Sequence, residues 1–348
     1  MKIGIITFQD AINYGAALQA FALKKVLTNY GKCEIINYYN DFFHRLDEQP
    51  LKNKLLETLL GKKQKKQKFE EFQFKYLVGD SKKYNDDDLK KLNSYFDLFV
   101  TGSDQVWNLK CSGDKKAYFL DFVNDTSKKT SYAASFGGDF VDNENEIKNL
   151  LMDFPNVSVR EKSGQALIYK ILNKDCQVVL DPTLLIKKEL WKNYFNLNES
   201  KKYVLVYEVL NGENILEIAK KYAKERNLSL KYITSSNKPH FGVQCIRNAG
   251  PEEWVDLIAN SEHVFTNSFH GLAFSLIFEK NFSIELLPPP ATTNTRLIEL
   301  LQLVGCEDRI IINNQINEDK INYNDVNKRL EIARNKSMEY INEMVGKR

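Results

Sequence analysis

Apolar positions along this chain recur in two rhythms, and the switching between them sets out its architecture. Residues 2–7 form a short apolar run. Ala17, Leu18, Phe21, Ala22 and Val26 then follow at helical spacing, and a second short run occupies 32–38. The same strand–loop–helix order returns further on. Strands are predicted over 96–101, 130–134, 157–159 and 177–180, and each ends in Gly, Ser, Asp, Arg or Thr. A second series begins near Lys202, with strands over 203–207, 230–233, 263–265 and 282–286, separated by helices over 213–225 and 251–258. Strands that alternate with helices describe parallel sheets. The pattern therefore predicts α/β architecture, as two doubly wound Rossmann-like domains facing each other across a cleft.

The expected division is 1–195 for the first domain, with a helical insertion over about 41–92, and 196–305 for the second. A tail over 306–348 carries a charged helix that returns to the first domain. The insertion has its own pattern. Leu51, Leu55, Leu56, Leu59 and Leu60 share one helical face, and Lys62, Lys63, Lys65, Lys66 and Lys68 follow, with Phe69, Phe72 and Tyr76 beyond them. Such a segment fits either a solvated helical hairpin or a peripheral contact with an anionic membrane surface through 51–76.

Composition narrows the classes. Of 348 residues, 43% are hydrophobic and 27% charged, which supports a sizeable core. A net charge of +3 gives no argument for nucleic acid. The five cysteines are scattered without metal-ligand spacing, as in a reducing compartment, and no metal site is expected. No apolar run is long enough to span a bilayer, so a cytoplasmic protein is expected.

Candidate chemistry lies where strands end. After the strand over 263–265 come Thr266-Asn267-Ser268-Phe269-His270-Gly271, and apolar residues then repeat with a helical period. Asn267 and Ser268 fit as helix caps, and the helix start offers donors and partial positive charge to an anion. His270 stands in that first turn and fits either a structural or an acid–base role. Arg160, also just past a strand, could grip a phosphate or carboxylate in bidentate fashion, or form an ion pair that pins the following helix. Asn13 and Gly15 open the first helix, where a ligand cradle and a plain tight turn fit equally. Ser103 and Asp104 end the strand over 96–101, and Arg296 is a further candidate cation.

Five motifs together carry a resemblance. Asn13-Tyr14-Gly15-Ala16-Ala17-Leu18-Gln19-Ala20-Phe21, Gly102-Ser103-Asp104-Gln105-Val106-Trp107-Asn108, Ser158-Val159-Arg160-Glu161, Leu180-Asp181-Pro182-Thr183 and Asn267-Ser268-Phe269-His270-Gly271 occur in the order found in the polysaccharide pyruvyl transferase family. The resemblance spans about residues 1–305. It implies a GT-B-like fold and transfer of pyruvate from phosphoenolpyruvate to a sugar of a surface polysaccharide or its lipid-linked precursor, commonly as a ketal. It also implies that Arg160 and His270 serve the phosphoenolpyruvate site, and that no cofactor beyond this donor is needed. On this reading Asn267, Ser268 and Arg296 assist the donor, while Asn13, Gly15, Ser103 and Asp104 meet sugar hydroxyls. Where other branches of the family carry a glycine- and aspartate-rich loop, this chain has Asn13-Tyr14-Gly15. Two other functions fit the same pattern: a GT-B glycosyltransferase using a nucleotide-sugar, and a non-catalytic glycan-binding protein.

Overall fold

The computed structural model describes residues 1–45, 61–197, 202–210, 212, 214–236, 238–288 and 294–346. The leucine face predicted over 51–60 lies outside them. The described chain divides into two compact units. The first comprises Met1–Gln49, Glu70–Leu185 and Glu331–Arg348, and the second Pro50–Phe69 and Ile186–Leu330.

Strands β1 (Lys2–Ile6), β2 (Lys32–Ile35), β3 (Leu98–Thr101), β4 (Lys129–Ser131), β5 (Ser158–Val159) and β6 (Gln177–Val178) belong to the first unit. The second holds β7 (Val204–Tyr207), β8 (Leu230–Ile233), β9 (Gln244–Ile246), β10 (His263–Thr266) and β11 (Asn281–Ile284). The helices that position the functional side chains are α1 (Tyr14–Leu27), α2 (Lys62–Phe72), α3 (Lys162–Leu172), α4 (Lys188–Phe195), α5 (Ile215–Glu225), α6 (Pro251–Ala259), α7 (Phe269–Ile277), α8 (Asn294–Val304) and α9 (Tyr323–Gly346).

Every strand pairing in both sheets is parallel. In the first unit the order is β2-β1-β3-β4. Parallel bridges Thr130↔Asn156 and Ala134↔Val159 carry the pairing on to β5 and β6. In the second unit the order is β11-β10-β7-β8-β9. Both are doubly wound α/β sheets, as the alternating pattern predicts. The chain leaves β1 for β2 on one side and then crosses to β3 on the other. It likewise leaves β7 for β8 and β9, then crosses back to β10. Those reversals leave a crevice beyond the strand carboxyl ends, between β1 and β3 and again between β7 and β10, where such sheets bind ligands.

The central strands are buried on both faces, which is why they read as continuous apolar runs (Ile3, Ile5 and Ile6 in β1, all of β7 and β10). Helix α1 is apolar nearly all round, as a fully enclosed helix must be, and the Asn13 side chain caps it by accepting from the Ala16 amide at 3.1 Å. Trp107, in the Gly102–Asn108 motif, is a core residue: it stacks on Phe119 at 5.9 Å and donates its indole N–H to the Tyr118 carbonyl. The second core gathers Val204, Val206, Phe265, Ala219 and Tyr222.

The division between units falls at Leu185/Ile186, earlier than the predicted 195. Trp191 of α4 packs against Phe274 of α7 at 5.0 Å, which ties that helix to the second unit. Residues 61–69 also group with the second unit, where Lys68 pairs with Glu253 and Asn248 bonds Gln64. The tail is likewise shared, since α9 begins in the second unit and from Glu331 onward belongs to the first. There Tyr340 donates to the Ser131 carbonyl and Ser337 accepts from the Leu180 amide. Strand β9 has no clear counterpart in the sequence pattern. No helix among the described residues is long and apolar enough to cross a membrane.

Candidate functional site

In the first unit, the loops after β3, β4 and β5 and the segment after β6 converge on one guanidinium. Arg160 Nη1 donates to Asp181 Oδ2 at 3.0 Å; its Nε lies 3.5 Å from Glu161 Oε2, and its Nη2 lies 3.7 Å from Asp104 Oδ1. The Arg160 side chain is only 2% exposed. Burial opposes its charge, but Glu161, Asp104 and Asp181 outweigh burial and hold its pKa above the ordinary value. Each carboxylate is oriented in turn. Asp181 accepts from Ser103 Oγ at 2.8 Å and from the Thr183 amide and hydroxyl at 3.0 and 2.7 Å. Glu161 accepts from Ser135 Oγ at 2.6 Å, and the Gly137 amide donates to that same hydroxyl. Gly137 has a φ of +78°, and a Cβ there would meet Gln105 Oε1 at 2.1 Å, so only glycine fits.

Asp104 is the most accessible of these carboxylates, with its side chain 11% exposed. It sits at the β1–β3 crevice with a φ of +78°, a left-handed conformation that costs a non-glycine residue energy and that Asp tolerates better than most. Its Oδ1 accepts from the Gln105 amide at 2.9 Å.

Ser103 requires a correction. It is wholly buried, its hydroxyl is given to Asp181, and its carbonyl accepts from Thr7 Oγ1, so it orients the cluster and does not line a wall for sugar hydroxyls. Asn13 is exposed and Gly15 buried at the start of α1, the helix that follows β1. Asp181, Glu161 and Ser135 were not singled out from sequence as chemical groups. The available signal was their position, each directly after a strand or in a strand-end loop.

In the second unit, the turn after β10 is built by hydroxyls. Thr266 Oγ1 donates to the Tyr207 carbonyl at 2.6 Å and accepts from the Ser268 amide at 3.0 Å. Ser268 caps α7 by accepting from the Gly271 amide at 3.3 Å. A Cβ on Gly271 would meet Thr266 Oγ1 at 2.4 Å, so glycine lets the first turn of α7 close onto β10. Asn267 is committed elsewhere than expected. Its side-chain oxygen accepts from the Val209 amide at 2.9 Å and its nitrogen donates to the Leu210 carbonyl at 2.7 Å. It therefore fixes the loop after β7, which makes it a positioning residue where a helix-terminal donor was predicted. His270 lies in the first turn of α7, 8% exposed, with its ring edge-on to Phe269 at 5.2 Å. Arg296 is in the first turn of α8, 8% exposed. Asn294 anchors that helix start, with its side-chain oxygen and nitrogen bonded to the amide and carbonyl of Leu287.

Glu285, after β11, was also missed from sequence. Its Oε1 accepts from the amides of Asn214 and Ile215 at 2.9 and 3.1 Å and so occupies the N-terminus of α5. The structure thus brings Ser103, Asp104 and Arg160 together in one unit and Asn267, Ser268 and His270 in the other.

A family model for polysaccharide pyruvyl transferases matches residues 13–283. No curated protein matches the chain. Solved structures with a similar chain course include UDP-GlcNAc 2-epimerase from Neisseria meningitidis bound to UDP-GlcNAc (12% identity, 99% of this chain and 100% of that one, TM-score 0.48). Two others are MnaA of S. aureus with UDP (13%, 95% and 87%, 0.49) and the E. coli heptosyltransferase WaaC with ADP (10%, 97% and 99%, 0.42). These likenesses are remote, at 10–13% identity.

Proposed function

Since the match over residues 13–283 makes this chain a member of the polysaccharide pyruvyl transferase family, and therefore a transferase, we propose that its donor is phosphoenolpyruvate and its product a pyruvate ketal on a sugar. The observation that carries this reading is the capped start of α7 at the β7–β10 crevice, with Ser268 and His270 in place and Arg296 on a second helix start of the same unit. Phosphoenolpyruvate is a carboxylate and a phosphate joined through an enol. Helix-terminal donors and fixed cations suit both anions.

In the overall reaction, two sugar hydroxyl oxygens bond to C2 of the donor and the C2–O bond to phosphate breaks. One of the two hydroxyl protons appears on C3, which becomes the methyl group, and the other leaves with phosphate. His270 is the general acid–base for one of these transfers, or donates a hydrogen bond to the departing phosphate. In the first unit, Asp104 accepts from a sugar hydroxyl, and Asn13 and Gly15 lie at the neighbouring strand end. Arg160 is the cation that the family resemblance assigns to the donor. Asp181 fixes it at 3.0 Å, while the longer contacts with Glu161 and Asp104 can be exchanged for a ligand anion. The acceptor is a sugar of a surface polysaccharide or its lipid-linked precursor, and the lysines of α2 supply a peripheral contact with an anionic membrane.

The test is a thermal-shift comparison followed by turnover. Phosphoenolpyruvate is expected to raise the Tm, since a ligand of the native state stabilises it, and UDP-GlcNAc is not. Phosphate release from phosphoenolpyruvate should then depend on added glycan. Stabilisation by the nucleotide-sugar alone would replace this function with glycosyl transfer.

A further inference from the structure

On the other side of β7 from α7 lies a cavity of about 320 Å³ wholly within the second unit. Its walls are the loop after β7, the start of α5 and the segment that follows β8, so it opens at the carboxyl edge of the same sheet. That volume is at the lower end of the range for small-ligand sites, about 300–1,000 Å³.

The lining decides what it could hold. Glu208 and Lys238 supply one carboxylate and one ammonium, and Glu217, also in the lining, is paired with Lys220 at 2.7 Å. The start of α5 would ordinarily attract a phosphate, yet the Asn214 and Ile215 amides are already given to Glu285. An anionic ligand is therefore disfavoured here, in contrast to the start of α7. Glu208 is held in place, since it accepts from the Gly212 amide. The Tyr232 and His240 rings meet edge to face, with centroids 5.2 Å apart and planes at 79°, and form an aromatic wall. Phe241, next in the chain, is 90% exposed, an unusual position for so large an apolar ring. A fixed carboxylate acceptor, a flexible ammonium donor and aromatic faces match a ring with hydroxyls on its edge and C–H groups on its faces. The loop over 208–210 that bounds this cavity is the one Asn267 clamps through Val209 and Leu210, so cavity and α7 start share a wall.

We propose that this cavity is a sugar subsite, taking a neutral pyranose of the acceptor glycan next to the residue that receives the pyruvyl group. The assignment of an acceptor glycan rests on the function proposed above; the cavity's preference for a neutral hydroxylated ring does not.

The probes are methyl glycosides of glucose, galactose and N-acetylglucosamine, with uridine as the comparison, each followed by saturation-transfer NMR on the full chain. At least one glycoside should bind in the millimolar range, and uridine should not. Ser236→Trp, which fills the cavity, should weaken that glycoside at least about tenfold, and Glu208→Gln should weaken it several-fold. Both variants should keep the Tm shift given by phosphoenolpyruvate. If Ser236→Trp melts without a cooperative transition, Glu208→Gln alone decides. Absence of glycoside binding at tens of millimolar, or binding that neither variant changes, would overturn the subsite. So would uridine binding in place of the glycosides, which would make the cavity a nucleoside pocket. Glycoside binding lost in the variants, without any response to phosphoenolpyruvate, would leave the subsite standing and remove the donor assignment instead.

Discussion

At the strand ends of the first unit, a buried guanidinium is matched by Asp181, Glu161 and Asp104, and each of those groups is held by a further hydroxyl or amide. At the amino ends of the second unit's strands, a buried histidine is kept neutral. His263, 1% exposed, lies between the Tyr222 and Phe265 rings, and burial, reinforced by Arg309 and Arg226, pulls its pKa down to about 3. At the carboxyl ends of those strands, the start of α7 presents the Ser268 hydroxyl and the His270 imidazole. The first unit's carboxyl edge and the start of α7 thus differ in the groups they present. One is rich in carboxylates and suits hydroxyl chemistry; the other offers a helix terminus and suits an anion.

The comparison is tested most severely at His270. His270→Ala should lower kcat at least about a hundredfold, the usual scale of a lost acid–base group. The Tm of the variant is read beside kcat, so that a loss of fold is told apart from a loss of chemistry. Near-normal kcat in a folded variant would take the chemistry away from α7.

The second test exploits the neutral histidine. Unfolded, His263 takes up a proton below pH about 6.5, while the folded ring resists until about pH 3. Stability is therefore lost as pH falls through that window, and His263 alone should account for about 2 kcal/mol between pH 7.5 and 5. His263→Gln keeps a partner for Ser283 Oγ, now 2.9 Å from Nε2, and removes the titration. Its denaturant midpoint should change less with acid than the wild type's. Equal acid slopes in both proteins would mean the ring is charged in the folded state.

These two sites also mark where sequence reading succeeds and where it stops. The turn into α7 is legible because its parts are local: Thr266, Ser268 and Gly271 meet within a few residues, and cap chemistry follows from residue type. The alternation of strands and helices is local in the same way, so both parallel sheets were predicted. The carboxylate cluster is not local. Ser103 and Asp181 are 78 residues apart, and nothing near either one announces the bond. Ser103 and Asn267 were read as ligand groups from their place at strand ends. Distant loops decide otherwise: Asp181, after β6, takes the Ser103 hydroxyl, and the loop after β7 occupies the Asn267 amide.

Arg160 comes third in expected size. Arg160→Lys replaces a planar fork by a point charge, and the KM for phosphoenolpyruvate should rise about tenfold with sugar saturating. The Tm should fall as well, since Asp181 and Glu161 lose a partner whose geometry an ammonium cannot reproduce. A lower Tm with an unchanged KM for the donor would confine Arg160 to organising the carboxylates. The first unit's strand ends would then have no part in holding the anion, and the contrast between the units would be complete.

The smallest effect concerns the basic stretch, whose lysines all belong to the second unit. Five lysines near an anionic surface would each contribute on the order of 1 kcal/mol. The structure reduces that number. Lys68 is held by both oxygens of Glu253 at 2.7 Å, and burial, with Lys62 beside it, lowers the pKa of Lys65 to about 8. Lys68 and Lys65 therefore contribute less than that figure. Sedimentation with anionic vesicles should be weak at low salt and should vanish toward molar salt, where the Debye length is about 3 Å. Changing all five lysines together to Gln should abolish it. Lys68→Gln should leave it nearly intact and loosen the start of α6, since Glu253 also accepts from the Gly250 amide. Equal sedimentation with neutral and anionic lipid, in every variant, would make α2 a solvated helix whose lysines serve the second unit alone.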